Sequence, residues 1–241
     1  MKDTLKLICD NKPLMVAHRG LSGIEKENTH GAFIAAGNRS YYGIETDIHR
    51  TLDGKFVCIH DSNTARVGID SLVVEECTYD TVRSLKLCGK DGKKDRADIC
   101  IPSLAEYIAI CRRYDKVAVT ELKNNFSKDE IIEICAIIAA EGWLHRTVFI
   151  SFMLQNLVYL REYLPKQQAQ FLFSGDPKNV PEILNEHDLD LDIYYGNLTP
   201  ELCDKVHADG HKINVWTVDG LEDASKLAEM GVDFITSNII E

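Results

Sequence analysis

A (β/α)8 barrel is predicted for this chain by eight short apolar runs that alternate with helix-like stretches, by a length of 241 residues, and by the lack of a glycine-rich phosphate turn. An open doubly wound sheet would need such a turn after its first strand, and here that strand runs into one glycine, Gly20. Barrels of this length form one domain, so residues 1–241 read as a single unit with a sizeable core. No internal repeat or low-complexity segment breaks the pattern.

The first predicted strand, residues 14–17, ends at His18-Arg19-Gly20, and Thr29 then caps an alanine-rich helical stretch. The second, residues 43–48, alternates apolar and polar residues and leads through Leu52-Asp53-Gly54-Lys55 into a second alternating run from Phe56 to His60. Read as a hairpin with Asp53-Gly54 as its two-residue loop, this places Leu52 opposite Lys55, Ile48 opposite Ile59 and Asp47 opposite His60. Period-2 alternation adds Glu45 to that face, so Glu45, Asp47 and His60 are expected within a few ångströms. Further strands are expected at residues 117–122, 147–152, 169–174, 189–194, 212–217 and 232–236. Helix starts are marked by Ser103, by Ser127 with Glu130 as a capping box, by Thr199 before Pro200 and by Asp219 with Glu222, and Gly231 stops the last helix.

On a barrel these strands carry their polar ends to one rim: His18 and Arg19, Glu45 and Asp47, Glu121 and Lys123, Phe152, and Trp216 near the end of the seventh strand. Three carboxylates without cysteine or histidine ligand spacing, Glu45, Asp47 and Glu121, suit a hard cation such as Mg²⁺ or Ca²⁺. Imidazole titrates near neutrality, which makes His18 and His60 an acid/base pair, and Arg19 and Lys123 are placed to hold phosphate oxygens. Together these groups suit hydrolysis of a phosphate ester.

Composition narrows the partners. A formal charge of −11 argues against nucleic acid and anionic membranes, and means that a cation, Arg19 and Lys123 must reverse the local field for an anionic substrate. The first twelve residues lack a signal-peptide apolar core and no run approaches a membrane span, so no stable membrane insertion is expected. Eight cysteines without a Cys-x-x-Cys pair read as small buried hydrophobes in a reducing, cytoplasmic setting. His30, His49, His145, His187, His207 and His211 read as surface or satisfied core residues, and the stretch Asp188 to Asp192 as solvated carboxylates alternating with core residues. Trp216 reads equally as core packing or as pocket lining, and Asn28 as a loop-positioning residue.

These residues resemble the glycerophosphodiester phosphodiesterases. The resemblance rests on His18-Arg19-Gly20, Glu27-Asn28-Thr29, Glu45-x-Asp47, Thr51-x-Asp53-Gly54 and His60-Asp61. It continues in order through Ile101-Pro102-Ser103-Leu104, Glu121-Leu122-Lys123, Ser151-Phe152, Val215-Trp216-Thr217-Val218 and Gly231-Val232-Asp233. It implies a metal at Glu45, Asp47 and Glu121, a small-molecule glycerophosphodiester substrate held in part by Phe152 and Trp216, and release of glycerol 3-phosphate and an alcohol. The nucleophile implied is the glycerol C2 hydroxyl or water. It also implies an insertion over the barrel mouth at about residues 62–115, with a mobile polar loop from Gly89 to Asp98. The chain departs from the family at Lys26, where proline is common, after His60-Asp61, where a leucine and paired threonines are missing, and at Phe234 to Asn238, which lacks a glycine and Thr-Asp-x-Pro. The last change is expected to alter the pocket floor. Alternatives are a lysophospholipase D or related lipid-directed phosphodiesterase, or a noncatalytic phosphodiester-binding protein; a glycosidase would not need Arg19, Lys123 and two histidines together.

Overall fold

The structure, a computed structural model, describes residues 3–68, 70–93, 96 and 99–241. Eight parallel strands close into a barrel: β1 (Leu14–Ala17), β2 (Gly43–Arg50), β4 (Val117–Leu122), β5 (Thr147–Ser151), β6 (Ala169–Phe173), β7 (Asp190–Tyr194), β8 (Ile213–Trp216) and β9 (Phe234–Ser237). They pair in that order, and β1 meets both β9 and β2 to complete the ring. The ninth strand, β3 (Phe56–Cys58), is antiparallel to β2. Helices α1 (His30–Gly37), α3 (Leu104–Arg113), α4 (Lys128–Ala140), α5 (Leu154–Tyr163), α6 (Val180–His187), α7 (Pro200–Ala208) and α8 (Leu221–Glu229) surround it, with α2 (Tyr79–Ser84) in the segment after β3.

Alternation along the strands builds two cores. Val16, Val117, Val119, Val148, Ile150 and Leu172 fill the barrel interior, whereas Ile44, Ile48, Ala118, Leu122 and Phe149 face the helices. Tyr107 ties α3 to this outer layer: its buried hydroxyl donates to the carbonyls of Ile44 (2.7 Å) and Val119 (3.2 Å). A third, smaller core of Val57, Ile59, Val67, Val74, Val82, Leu87, Ile99 and Ile101 holds the segment between β3 and α3 against the hairpin. The polar loop expected at residues 89–98 lies partly outside the described residues, at 94, 95, 97 and 98.

The caps at Thr29, Ser103, Ser127 and Thr199 each accept a backbone N–H, and at Ser103 and Ser127 the third residue returns the bond as a capping box. Gly231 follows α8 at φ +85°. Asp219 is not the cap of α8. That position is Gly220, and the Asp219 carboxylate instead accepts from Ser237 Oγ, Asn238 N and Asn238 Nδ2.

The hairpin register also differs from expectation, by one residue. Ile48 pairs with Cys58, not Ile59, and Ile59 N donates to Asp47 O, so His60 is not directly opposite Asp47. Thr51 is the cause. Its hydroxyl donates to Asp53 Oδ1 (2.7 Å) and accepts from Lys55 N (3.0 Å), its N–H donates to Lys55 O, and a three-residue loop closes with Gly54 at φ +73°. Pairing ends at Cys58, and the chain beyond it carries His60 back to the rim.

Candidate active site

β2 and β4 pair in register, with Glu45 beside Val119 and Asp47 beside Glu121, so neighbouring strands put three carboxylates on the inner face. Their ligand oxygens all lie within 4.8 Å of one another, and all three residues are buried. Three buried negative charges at this distance cannot persist uncompensated. Lys123 Nζ donates to Glu121 Oε1 at 2.8 Å and stands 3.5 Å from Asp47 Oδ1, while Arg19 Nε stands 3.4 Å from Asp47 Oδ2. Burial works against the Asp47 carboxylate, but Arg19 and Lys123 outweigh it and hold Asp47 well below the usual range. Burial and then Asp47 push Glu121 up to about 8, and burial, Asp47 and Glu121 raise Glu45 well above its ordinary value. Two cations thus leave part of the cluster's charge unmet. An all-oxygen donor set and an Asp47 Oδ1 with no hydrogen-bond partner among the described residues fit a hard divalent cation there.

The loop after β1 brings the guanidinium to this cluster. Arg19 and Gly20 both have left-handed backbones, φ +54° and +73°, and a Cβ on Gly20 would stand 2.6 Å from the Ala32 carbonyl carbon of α1. The turn aims Arg19 N at Glu45 Oε2 (2.6 Å) and lets Arg19 Nη1 donate to Glu27 Oε1 (3.0 Å). Asn28, also left-handed at φ +50°, spans the same region: its Nδ2 donates to Asp47 Oδ2 at 2.8 Å and its Oδ1 accepts from Thr46 Oγ1 at 2.7 Å. Asn28 therefore positions a side chain of the cluster as well as a loop.

Each histidine is held through Nδ1. His60 Nδ1 meets Asp61 Oδ1 at 2.6 Å, and burial, opposed by Asp47, leaves His60 below its ordinary value. Arg66 binds Asp61 through Nε and Nη2 and Glu27 through Nη1 and Nη2, so one guanidinium braces the partners of both His60 and Arg19. His18 Nδ1 lies 2.8 Å from Asn238 Oδ1, which also accepts from Ser22 Oγ at 2.6 Å. Because Asn238 Nδ2 donates to Asp219 at 2.6 Å, its Oδ1 faces His18, and an acceptor at that place requires the His18 proton on Nδ1. Burial and then Arg19 bring His18 down to about 4, so the imidazole is neutral, with no hydrogen-bond partner on Nε2 among the described residues.

Of the nine residues singled out in the sequence, eight line a single pocket: His18, Arg19, Glu45, His60, Glu121, Lys123, Phe152 and Trp216. The ninth, Asp47, lies beneath it at 1% exposure. Trp216 is a wall of the pocket. Its ring packs edge-on to Phe152 at 5.7 Å and tilted to Tyr194 at 5.8 Å, and its indole N–H donates to the carbonyl of Asp192. His49 is a core residue only half satisfied: it is buried with Nε2 on the His60 carbonyl at 3.1 Å, and its Nδ1 has no hydrogen-bond partner among the described residues. The solvated reading of Asp188 to Asp192 fails at Asp192: it is 2% exposed and lines the pocket, because β7 turns this residue inward between Leu172 and Asn214. Sequence reasoning also left Asp61, Arg66 and Asn238 without roles. Asp61 belongs to the His60-Asp61 motif, Arg66 to the segment at about 62–115 over the barrel mouth, and Asn238 to the stretch that departs from the family pattern.

The comparisons with known proteins agree with this geometry. The model of the glycerophosphoryl diester phosphodiesterase family matches residues 18–241. The chain is 29% identical over 230 residues to a glycerophosphodiester phosphodiesterase of Caldanaerobacter subterraneus subsp. tengcongensis, covering 94% of each. It is 23% identical to glycerophosphodiester phosphodiesterase 1 of Homo sapiens, covering 94% of this chain and 78% of the relative. Among solved structures, a glycerophosphodiester phosphodiesterase of Agrobacterium tumefaciens superposes with a TM-score of 0.80 at 20% identity over 94% of this chain and 96% of the other. A phosphodiesterase of Oleispira antarctica, solved with the product sn-glycerol-3-phosphate, superposes with a TM-score of 0.83 at 24% identity over 94% and 93%. These last two likenesses establish the shared barrel, and the family match over nearly the whole length establishes more: the chain belongs to the glycerophosphoryl diester phosphodiesterase family.

Proposed function

We propose that this enzyme hydrolyses small glycerophosphodiesters to glycerol 3-phosphate and an alcohol, with a divalent cation, Mg²⁺ or Ca²⁺, held by Glu45, Asp47 and Glu121. The observation that carries the reading is the meeting, at one pocket, of a buried cluster of three carboxylates, two of which line it, with two cationic side chains and two histidines each fixed at Nδ1. When bound, the cation would act as a Lewis acid toward a nonbridging phosphate oxygen. Arg19 and Lys123 hold the remaining oxygens, the first with a forked donor and the second as a point charge. Neither is free to relax away: Arg19 is braced by Glu27 and Lys123 by Glu121. Such fixed charges favour the transition state, where phosphate charge grows, over the ground state.

His18, neutral with Nε2 open, is suited to take the proton of the attacking hydroxyl, whether from glycerol or from water. His60, beside the Asp61 carboxylate, is suited to give a proton to the leaving alkoxide. Phe152 and Trp216 wall the side of the pocket away from the charged cluster and pack against the organic part of the substrate. All eight cysteines are free, which supports a reducing, cytoplasmic setting, and no helix among the described residues is long and apolar enough to cross a membrane. The test is ³¹P NMR of glycerophosphocholine and glycerophosphoethanolamine incubated with the protein and Mg²⁺ or Ca²⁺. Appearance of glycerol 3-phosphate is expected. Release of phosphocholine in its place, or turnover of lysophosphatidylcholine alone, would overturn the assignment.

A further inference from the structure

One buried acid in the pocket has no part in the chemistry above. Asp192 sits on β7, which stands across the barrel from β2 and its Glu45 and Asp47. It is 2% exposed and lines the pocket, and its Oδ1 has no hydrogen-bond partner among the described residues. The Asn214 side chain also meets the Asp192 carboxyl, but it leaves Oδ1 without a partner. Asn214 Nδ2 donates to Gln170 Oε1 at 3.3 Å, Thr236 Oγ1 donates to Asn214 Oδ1 at 3.1 Å, and the Trp216 indole takes the Asp192 backbone carbonyl. A buried carboxyl oxygen left without a partner is costly, by an amount that replacement with an apolar residue would recover. Such a group in a binding pocket points to a polar atom of the ligand.

We propose that Asp192 is a specificity-determining residue whose carboxyl binds the terminal hydroxyl of the substrate's glycerol moiety, the hydroxyl furthest from the phosphate. The inference rests on the phosphodiesterase reading given above. With phosphate anchored at the β1, β2 and β4 side by Arg19 and Lys123, a group reaching Asp192 must cross the barrel mouth, which suits the far end of a three-carbon chain. The walls along that path are Ile150, Leu172 and Trp216, apolar surfaces matched to glycerol carbons. Glycerol is also the part common to every substrate of this class, and a deep fixed group can select only a constant part; the variable alcohol is left to the open rim, where Phe152 is 42% exposed. Burial, and after it Glu121, raise Asp192 well above the ordinary carboxyl range, and a carboxyl oxygen without a partner accepts from a hydroxyl.

The test compares glycerophosphocholine with the analogue built on propane-1,2-diol, which keeps the hydroxyl next to the phosphorylated carbon and lacks the terminal one. Wild-type kcat/KM should favour glycerophosphocholine by roughly tenfold to a hundredfold. In Asp192→Ala that preference should collapse to about one, and Asp192→Asn, which keeps a donor and an acceptor, should restore most of it. Thermal melting separates a structural role: Asp192→Ala should melt at or above the wild-type temperature, since it removes an unpartnered buried group. An Asp192→Ala enzyme that keeps the wild-type preference overturns the proposal, as does a wild type that shows no preference. Titration calorimetry with glycerol 3-phosphate against propanediol phosphate repeats the comparison without turnover. An Asp192-dependent affinity difference in an enzyme that cleaves neither diester would sustain this inference while the reaction assignment failed, and equal affinities would refute it.

Discussion

Replacing Asn238 by alanine removes the acceptor that holds the His18 proton on Nδ1. Two consequences can be sized. The lost hydrogen bond between neutral groups contributes about 1 kcal/mol net, roughly fivefold in a rate that depends on it. The freed imidazole then distributes its proton between both nitrogens, and every molecule protonated at Nε2 has no acceptor facing the pocket, a further factor of about two or more. The Asn238→Ala enzyme should therefore lose about tenfold in kcat with KM for glycerophosphocholine unchanged, since Asn238 lies behind His18 and is not among the pocket-lining residues. ¹⁵N shifts of the His18 ring should report the loss of the single Nδ1–H tautomer. Asn238→Asp gives a complementary shift. It keeps an acceptor but adds negative charge next to an imidazole now held near 4, so His18 should bind protons more readily and the acid limb of kcat should move to higher pH. A kcat for Asn238→Ala within twofold of wild type, with an unaltered tautomer, would refute the assignment of His18 as an acceptor positioned by this relay.

Arg66→Ala should cost no more than about 1 kcal/mol of stability, because the side chain is 45% exposed and its ion pairs are screened, yet turnover should fall several-fold as Asp61 and Glu27 lose their brace; Arg66→Lys should not restore it, having no fork for two carboxylates. Wild-type turnover in Arg66→Ala, or its full recovery in Arg66→Lys, would contradict the brace. Burial and then Asp47 hold Glu121 near 8, and burial, Asp47 and Glu121 hold Glu45 well above its ordinary value, so cation binding should expel protons and apparent Mg²⁺ affinity should rise with pH toward 8. Calorimetry in two buffers of different ionisation enthalpy would detect this, and a buffer-independent heat would exclude it. His18 folds as a neutral group near 4 against 6.5 when exposed, so the unfolded chain binds more protons between these values. Stability should be complete above 6.5 and decline by up to about 3 kcal/mol as pH falls toward 4, a slope that His18→Asn should flatten in urea titrations.

The barrel and the near rim of the site were legible because strand periodicity and helix caps are local. Val117 to Leu122 is one strand in sequence and in structure, and Ser127 with Glu130 is the capping box its spacing predicts. What was not legible depends on side chains chosen by tertiary neighbours. Thr51 closes the hairpin with its hydroxyl and slips the register by one residue, something the Asp53-Gly54 pair does not encode. Asp219 has the spacing of an N-cap for α8, but a nearer competitor, Asn238 from β9's end, takes its carboxylate. Asp192 looks like one of several alternating acids, and only barrel closure decides that it faces inward while Asp188 stays in solvent. The change at Ser237-Asn238 was visible as a departure from the family pattern; that it backs His18 required the fold to bring residues 18, 219 and 238 together.

The most direct measurement takes chelator-treated wild type and His60→Ala, restores Mg²⁺, and follows on the same samples both metal affinity and glycerophosphocholine turnover. If three carboxylates hold the cation and two histidines move the protons, both proteins bind the metal alike, while turnover returns in the wild type and stays at least about a hundredfold lower in His60→Ala. Turnover in His60→Ala close to that of wild type, or a wild type whose activity ignores chelation and restoration, would contradict that division of labour.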